Sequence, residues 1–393
     1  MKLAVISHKI CWPAENGGPA FVTDGGFPLQ MEWLSELFDE TTVVVPCKTL
    51  PNSSGTSGLK GKNLNVVRLS VPGGNGFRRK LGFATWLITN SPIIWRQVKA
   101  ADAIHAPIPG DVGTVGIVFS MLQRKPLFVR HCGNWLVQRT IAEKFWKWLM
   151  EHFAGGRNVM MATGGTPEPP SSRNPNIEWI FSTSLRRGQM EDRTARTLPS
   201  NGHLKLLIAC RQEERKGTDV VIASLPLILE QFPLATLDVI GDGSLLPSLG
   251  RQADALGVSD KITFHGKVEQ ARVVELMSEA HLFCYPTTAS EGFPKVVIEA
   301  LSCGLPVITT KVSVLPSLLG TGGGILLDKP AAATLAAAVF EICGDAGKYV
   351  EMSRTAIDVS KKFTLENWRD SIAQALKRSW NVTSLDSGQV SSL

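Results

Sequence analysis

Two glutamates eight positions apart, Glu291 and Glu299, stand in the run Ser-Glu-Gly-Phe-Pro-Lys-Val-Val-Ile-Glu-Ala-Leu-Ser-Cys-Gly that ends at Gly304. An ionised carboxylate accepts two hydroxyl donors, so such a pair can hold two rings of a polyhydroxylated ligand. The same spacing also suits a plain structural role, with Glu291 favouring a helix dipole and Glu299 meeting a buried Arg or Lys. Spacing alone leaves both open. Arg211 and Lys216, in Cys-Arg-Gln-Glu-Glu-Arg-Lys-Gly-Thr-Asp, are the second candidate group. Two cations beside a helix start can neutralise a diphosphate and the charge that grows on it as a glycosidic bond breaks. A solvated basic loop is the alternative. The third candidate is His131, in Arg-His-Cys-Gly-Asn-Trp, an imidazole able to meet a substrate hydroxyl.

These residues need elements to position them. Pro294 suits a first helical turn, and Gly304 with Pro306 stops the helix about three turns later. Glu291 then lies in the entering loop. Glu299 falls inside the helix among Val296, Val297, Ile298, Ala300 and Leu301, where an unpartnered carboxylate carries a heavy desolvation cost. An expected strand at Leu204–Ala209 puts Arg211 at its end and Lys216 just before a helix capped by Thr218, with Arg215 as a solvated loop residue. Leu237–Ile240 reads as a strand followed by the turn Gly241-Asp-Gly243. The third glycine position of a dinucleotide fingerprint is occupied by Leu246, and the next strand ends in Phe264-His265-Gly266 without an acidic ribose anchor, which argues against a nicotinamide cofactor.

Near the start, Thr23-Asp-Gly25-Gly26-Phe-Pro precedes a helical pattern, and a second pair, Gly17-Gly18, lies just before it. Either permits close backbone approach to a diphosphate; Gly25 and Gly26 are preferred because a helix follows at once. A strand at Leu127–Arg130 delivers His131 to its end, whereas His105, ending Ala103–His105, reads as a structural histidine.

Apolar strands alternate with helical patterns along the whole chain, which predicts α/β architecture with parallel sheets built from βαβ units. Further strands are expected at Lys2–Ser7, Thr42–Val45, Asn158–Ala162, Ile262–Phe264, Leu282–Tyr285 and Val307–Thr309. Helices are expected near Phe27–Phe38, Arg79–Lys99, Asp111–Gln123 and Thr140–Phe153, and from about Thr218, Ser244, Glu269 and Pro294. With 393 residues the chain is too long for one ordinary core. We expect a first domain over 1–182 and a second over 200–361, with the sequence between Gly164 and Pro199, rich in Pro, Ser, Thr, Asn and Arg apart from a candidate strand at Ile177–Phe181, reading as the connection.

Hydrophobic content of 44% with 19% charged residues describes a compact globular chain and excludes extended disorder. A net charge of +6 without a long Lys/Arg run suits phosphate-bearing ligands or an anionic surface and argues against nucleic acid. The seven cysteines, scattered and without a C-x-x-C pair, read as buried reduced thiols. A cytosolic location follows as the default expectation, with contact at the inner membrane face left open. Aromatic and basic residues interleave in Phe77-Arg-Arg-Lys-Leu-Gly-Phe83 and Lys144-Phe-Trp-Lys-Trp148. Helices of this kind either rest on anionic lipid or pack their aromatic faces on the domain, and packing is the preferred expectation.

The glutamate stretch as a whole resembles the donor-sugar signature of the family 4 retaining glycosyltransferases, which share the GT-B architecture of two Rossmann-like parallel-sheet domains facing across a cleft. The resemblance is close in the second half of the chain and loose in the first. It implies that Glu291 meets hydroxyls of the transferred sugar and Glu299 the nucleotide ribose, with Gly292, Phe293 and Lys295 beside them in the donor site. Pro294 stands where that family most often has glycine and has no N–H to donate. By the same resemblance Arg211 and Lys216 are the phosphate-binding cations, and His131 contacts a sugar hydroxyl. Gly25 and Gly26 form the first glycine loop; Gly241, Gly243, Lys267 and Val268 line the nucleotide cleft. A terminal helix over about 363–378 is implied to pack back on the first domain.

The implied activity is retaining transfer of a hexose from a nucleotide diphosphate sugar to a glycan or lipid-linked acceptor, as in polysaccharide biosynthesis. Front-face attack is the implied route, with the leaving diphosphate stabilised by Arg211 and Lys216. No D-x-D motif is present, so neither a metal nor a cofactor beyond the donor itself is expected. Two other activities fit the same glutamates: a sugar-nucleotide epimerase or hydrolase, and a non-catalytic nucleotide-sugar binding protein.

Overall fold

A computed structural model describes residues 1–14, 19–51, 56–73, 77–290 and 292–381, the side chains of 56 and 77–81 apart. Glu291, the Gly17-Gly18 pair and the side chains of the first aromatic-basic run up to Leu81 therefore lie outside the described residues. The chain divides into two compact units: Met1–Gly164, Glu168–Ser184 and the segment from Leu365 onward form unit 1, and Gly165–Pro167 with Leu185–Thr364 form unit 2.

Unit 1 contains, in chain order, β1 (Lys2–Ile6), β2 (Trp12–Pro13), β3 (Phe21–Asp24), α1 (Phe27–Ser35), β4 (Glu40–Pro46), β5 (Thr56–Gly58), β6 (Leu64–Leu69), α2 (Phe77–Ala100), β7 (Ala103–Ile108), α3 (Asp111–Leu122), β8 (Leu127–His131), α4 (Ile141–Phe153), β9 (Asn158–Thr163) and β10 (Ile177–Ile180). Its main sheet has the order β10-β9-β8-β7-β1-β4-β6, all neighbours parallel. Helices cover both faces, so central strands read as continuous apolar runs: β7 is buried from Ala103 to Ile108. One core lies between the sheet and α1, holding Met31, Leu34, Phe128 and Trp368; the other holds Trp86, Ile94, Ile117 and Trp135.

Unit 2 contains β11 (Lys205–Ala209), α5 (Thr218–Gln231), β12 (Thr236–Ile240), α6 (Leu246–Ala255), β13 (Ile262–Gly266), α7 (Gln270–Glu279), β14 (Leu282–Tyr285), α8 (Lys295–Ser302), β15 (Val307–Thr310), α9 (Leu315–Leu319), β16 (Gly324–Leu327), α10 (Ala332–Cys343) and α11 (Ala346–Ser360). Its sheet has the order β13-β12-β11-β14-β15-β16 and is likewise parallel. A final helix, α12 (Leu365–Trp380), belongs to unit 1 and buries Trp368, Ile372 and Leu376 in its core.

The parallel α/β plan is the one that the sequence predicts, with three additions among the strands. β2, β3 and β5 form a small antiparallel sheet, too short to leave a periodic signal. β6 sits at a sheet edge, half exposed, and β16 begins at Gly324, where a Cβ would lie 1.9 Å from the Val307 carbonyl oxygen. The cysteine expectation is corrected: Cys11 and Cys47 form a disulfide, while Cys284, Cys303 and Cys343 are buried free thiols and Cys132 is exposed. The chain after β1 runs beside the end of its parallel neighbour β4, bringing together residues 36 apart in sequence, a proximity that scattered spacing does not reveal.

Candidate functional site

In unit 2 the candidate residues gather in the loops after β11, β12, β13 and β14, on the carboxyl side of the strands where open sheets bind ligands. Gln212, which sequence reasoning missed, ties these loops. It is 1% exposed. Its Nε2 donates to the carbonyls of Cys210 (3.1 Å) and Ile240 (3.0 Å), its Oε1 accepts from the Thr218 hydroxyl (2.7 Å), and its backbone N–H donates to Asp242 O (2.9 Å). The glycines of the β12 turn are required by this closeness. A Cβ at Gly241, where φ is +114°, would lie 1.8 Å from Cys210 O, and one at Gly243 would lie 2.3 Å from Gln212 O. Gly241 N–H in turn donates to Gly266 O at 2.8 Å, fixing the turn that carries Lys267 and Val268.

Thr218 does not cap α5. It is the first helical residue, its hydroxyl is spent on Gln212, and the cap is Gly217 in the left-handed region at φ +90°. A Cβ there would meet Pro286 O at 2.5 Å, so the helix start is pressed onto the β14 end. Arg215 is not merely solvated either. Its guanidinium donates to Thr288 O (2.7 Å), and its own carbonyl accepts from the N–H groups of Thr288 (2.8 Å) and Ala289 (3.2 Å) and the hydroxyl of Thr287 (3.0 Å). The basic loop is thereby joined to the segment leading toward position 291. Arg211 is exposed and pairs with Glu213 at 3.2 Å, and Lys216 is half-buried.

Glu299 lies within α8 at 8% exposure. Neither a ligand hydroxyl nor a basic residue is needed for its Oε1, which accepts from Gln270 Nε2 at 2.8 Å. Pro294 is the cap of α8 rather than its first turn, Lys295 opens the helix half-buried, Gly292 precedes them half-buried, and Phe293 is buried against the Phe363 ring at 5.4 Å.

In unit 1, His131 ends β8 at 2% exposure, its ring edge-on to Trp135 at 5.3 Å. Burial pushes its pKa down to about 4, so the ring is neutral at pH 7, and its buried Nδ1 has no hydrogen-bond partner. His105 is wholly buried, stacks on Phe128 at 4.4 Å and shares a hydrogen bond with Phe128 O at 3.0 Å through Nδ1; burial lowers its pKa to about 3. Arg130, one residue before His131, is buried with its guanidinium donating to Gln30 Oε1 (2.7 Å) and lying over the Trp368 ring at 5.2 Å. Gly25 adopts φ +71°, in an exposed turn where Lys9 pairs with Asp24, and Gly26 caps α1 without a side-chain acceptor.

A cavity of about 440 Å³ opens at the carboxyl ends of the unit 1 strands, lined by His8, Pro46, Pro109, Gly110, Asp111 and Trp146 among others. Its histidine, acid and indole can meet a polyol; nothing in the sequence links positions 8 and 111 to Trp146 of the second aromatic-basic run. Among the described residues no group of three or more His, Cys, Asp or Glu side chains is gathered to hold a metal ion.

Residues 191–359 match the family model "Glycosyl transferases group 1". The matched segment lies in unit 2, and it is this part of the chain that is similar to that family. The gpi3 subunit of phosphatidylinositol N-acetylglucosaminyltransferase from Schizosaccharomyces pombe is 32% identical over 120 residues, 30% of this chain and 26% of that protein. The phosphatidyl-myo-inositol mannosyltransferase of Mycobacterium tuberculosis is 30% identical over 124 residues, 32% of each chain. The chain thus spans about a quarter to a third of the length of these relatives. Among solved structures, Anabaena Alr3699/HepE in complex with UDP aligns with a TM-score of 0.69 at 18% identity, over 96% of this chain and 100% of that one. This likeness shows the fold, GT-B.

Proposed function

We propose that the chain is a retaining, metal-independent glycosyltransferase that moves a hexose from a nucleotide diphosphate sugar to the polyol head of a lipid-linked acceptor. The observation that carries this reading is that, within the matched family segment of unit 2, Gln212 ties the basic loop to the glycine turn, Arg215 ties that loop to Thr288, and Gln270 holds Glu299. Both relatives are named as enzymes acting on phosphatidylinositol, which supports a lipid-linked acceptor. The bound UDP of the Anabaena protein supports a nucleotide donor.

In this reading Glu299 accepts from ribose hydroxyls, Glu291 orients the transferred sugar, and Gly241, Gly243, Lys267 and Val268 border the nucleotide. The bond between the anomeric carbon and the β-phosphate oxygen breaks as the acceptor oxygen bonds to the same face of that carbon. The acceptor proton passes to the leaving diphosphate. Arg211 and Lys216 stabilise the charge developing there, in place of a divalent ion. Neutral His131 offers its ring nitrogen to a sugar hydroxyl, and the unit 1 cavity receives the acceptor polyol. The protein works at the cytosolic face of a membrane.

The test is a thermal-shift screen of UDP-, GDP- and ADP-sugars, followed by transfer assays with phosphatidylinositol. Stabilisation by one donor and a labelled lipid product are expected. Donor altered without acceptor would indicate an epimerase or hydrolase, and donor bound but unchanged in every assay would indicate a binding protein.

A further inference from the structure

Helix α4 has two faces of different character. Leu149 and Met150 are buried in the unit 1 core, and Trp146 lines the cavity, its Nε1 donating to the Thr114 hydroxyl at 2.8 Å. The opposite face carries Ile141, Phe145 and Trp148, spaced i, i+4, i+7, at 88%, 43% and 46% exposure. His152 continues the row, 4.6 Å from the Trp148 ring, and Phe145 lies 6.0 Å from it on the other side. The expectation that this aromatic run packs on its own domain holds for Trp146, which with Leu149 and Met150 faces the unit 1 core, and is corrected for Phe145 and Trp148, which are exposed. Leu136 and Val137, in the turn before the helix, are exposed as well.

The exposed charges at the edge of this face are mainly basic. Arg139 and Lys144 are exposed, and the Lys147 ammonium lies 5.2 Å over the Trp135 ring. The nearby acids are engaged. Glu143 accepts from the backbone N–H groups of Arg139 (2.7 Å) and Thr140 (2.8 Å), closing a capping box, and Glu151 accepts from Ser171 (2.9 Å) and pairs with Arg173 at 3.5 Å. A row of aromatic and branched apolar side chains edged by Lys and Arg matches a phospholipid interface, where rings sit at headgroup depth and cations meet anionic lipid. At 13 residues α4 is too short to span a bilayer and must lie in the plane of the surface.

We propose that the Ile141–Phe145–Trp148 face of α4 is the surface on which the protein docks to an anionic lipid bilayer. The inference rests on the lipid-acceptor reading for its purpose and adds the surface: the helix that meets the bilayer also lines the acceptor cavity through Trp146, so a headgroup need not leave the interface to enter it.

Vesicle co-sedimentation of the full chain tests this, with phosphatidylcholine vesicles prepared with and without phosphatidylglycerol. Binding is expected only to the anionic vesicles and should weaken with added salt. Phe145→Ser with Trp148→Ser should reduce partitioning about tenfold or more, and Lys144→Glu should reduce it severalfold, both with unchanged circular dichroism and unchanged transfer to a detergent-solubilised acceptor. Equal binding by wild type and the aromatic double variant would overturn the proposal. So would failure of the wild type to bind anionic vesicles, or a concentration-dependent dimer that the double variant abolishes while vesicle binding persists. Vesicle binding without any sugar transfer would leave the surface standing and remove the transferase reading instead.

Discussion

Gln270 holds Glu299: its Nε2 donates to Glu299 Oε1 at 2.8 Å, from the first residue of α7 to the middle of α8. The carboxylate is thus oriented and partly satisfied before any ligand arrives, the preorganisation that a ribose-binding acid needs. Glu299→Gln keeps the shape and exchanges an acceptor oxygen for a donor. Donor KM should rise about tenfold or more, with kcat changed less. Gln270→Ala should give a smaller rise in the same direction. Donor KM values equal to wild type in both variants would remove Glu299 from the donor site.

That contact also marks how far the sequence can be read. The helix around Glu299 is legible because Pro294 and Gly304 bracket an apolar run. The partner is not, because Gln270 is 29 positions away and an exposed glutamine has no pattern of its own. Parallel sheets are legible for a similar reason: strands such as β7 are apolar throughout. The antiparallel sheet of β2, β3 and β5, the Cys11–Cys47 bridge and the unit 1 cavity arise from chain segments that meet only in three dimensions.

Gln212 is the stability counterpart. Gln212→Ala removes one hydrogen bond each from the Cys210 carbonyl, the Ile240 carbonyl and the Thr218 hydroxyl in a buried site, leaving Ile240 O only the Cys210 N–H. A loss of about 3 kcal/mol is expected, seen as a drop in Tm of roughly 6–10 °C. Gly241→Ala should be at least as severe, since its Cβ would overlap the Cys210 carbonyl. A Gln212→Ala protein as stable as wild type would show that the network is not what fixes the loops.

The basic loop makes a prediction about metal. If Arg211 and Lys216 carry the leaving diphosphate, EDTA leaves the rate unchanged, and Lys216→Ala lowers kcat about a hundredfold or more while unfolding at the wild-type temperature. Arg211→Ala should cost less, because Arg211 is largely exposed and shares its charge with Glu213. Activity abolished by EDTA and restored by Mn²⁺ would contradict the assignment.

Buried histidines set the acid limit of the fold. Desolvation holds His131 at about 4, against 6.5 for a free imidazole, so the folded state takes up its proton later than the unfolded chain does. A depressed folded-state pKa contributes stability that is complete above 6.5 and is lost as pH falls from there toward 4. His105, lowered to about 3 mainly by burial and also by the Arg130 charge, acts in the same direction over a wider range. Urea unfolding followed between about pH 7.5 and pH 4.5 should show stability falling with acid, with His131 alone contributing on the order of 3 kcal/mol once its unfolded form is fully protonated. His131→Phe, which keeps an aromatic ring beside Trp135 but cannot take a proton, should flatten that slope and leave the His105 part. An identical slope in the variant would show that His131 is not held neutral by the fold, and with that its part as an uncharged partner for a sugar hydroxyl would fail.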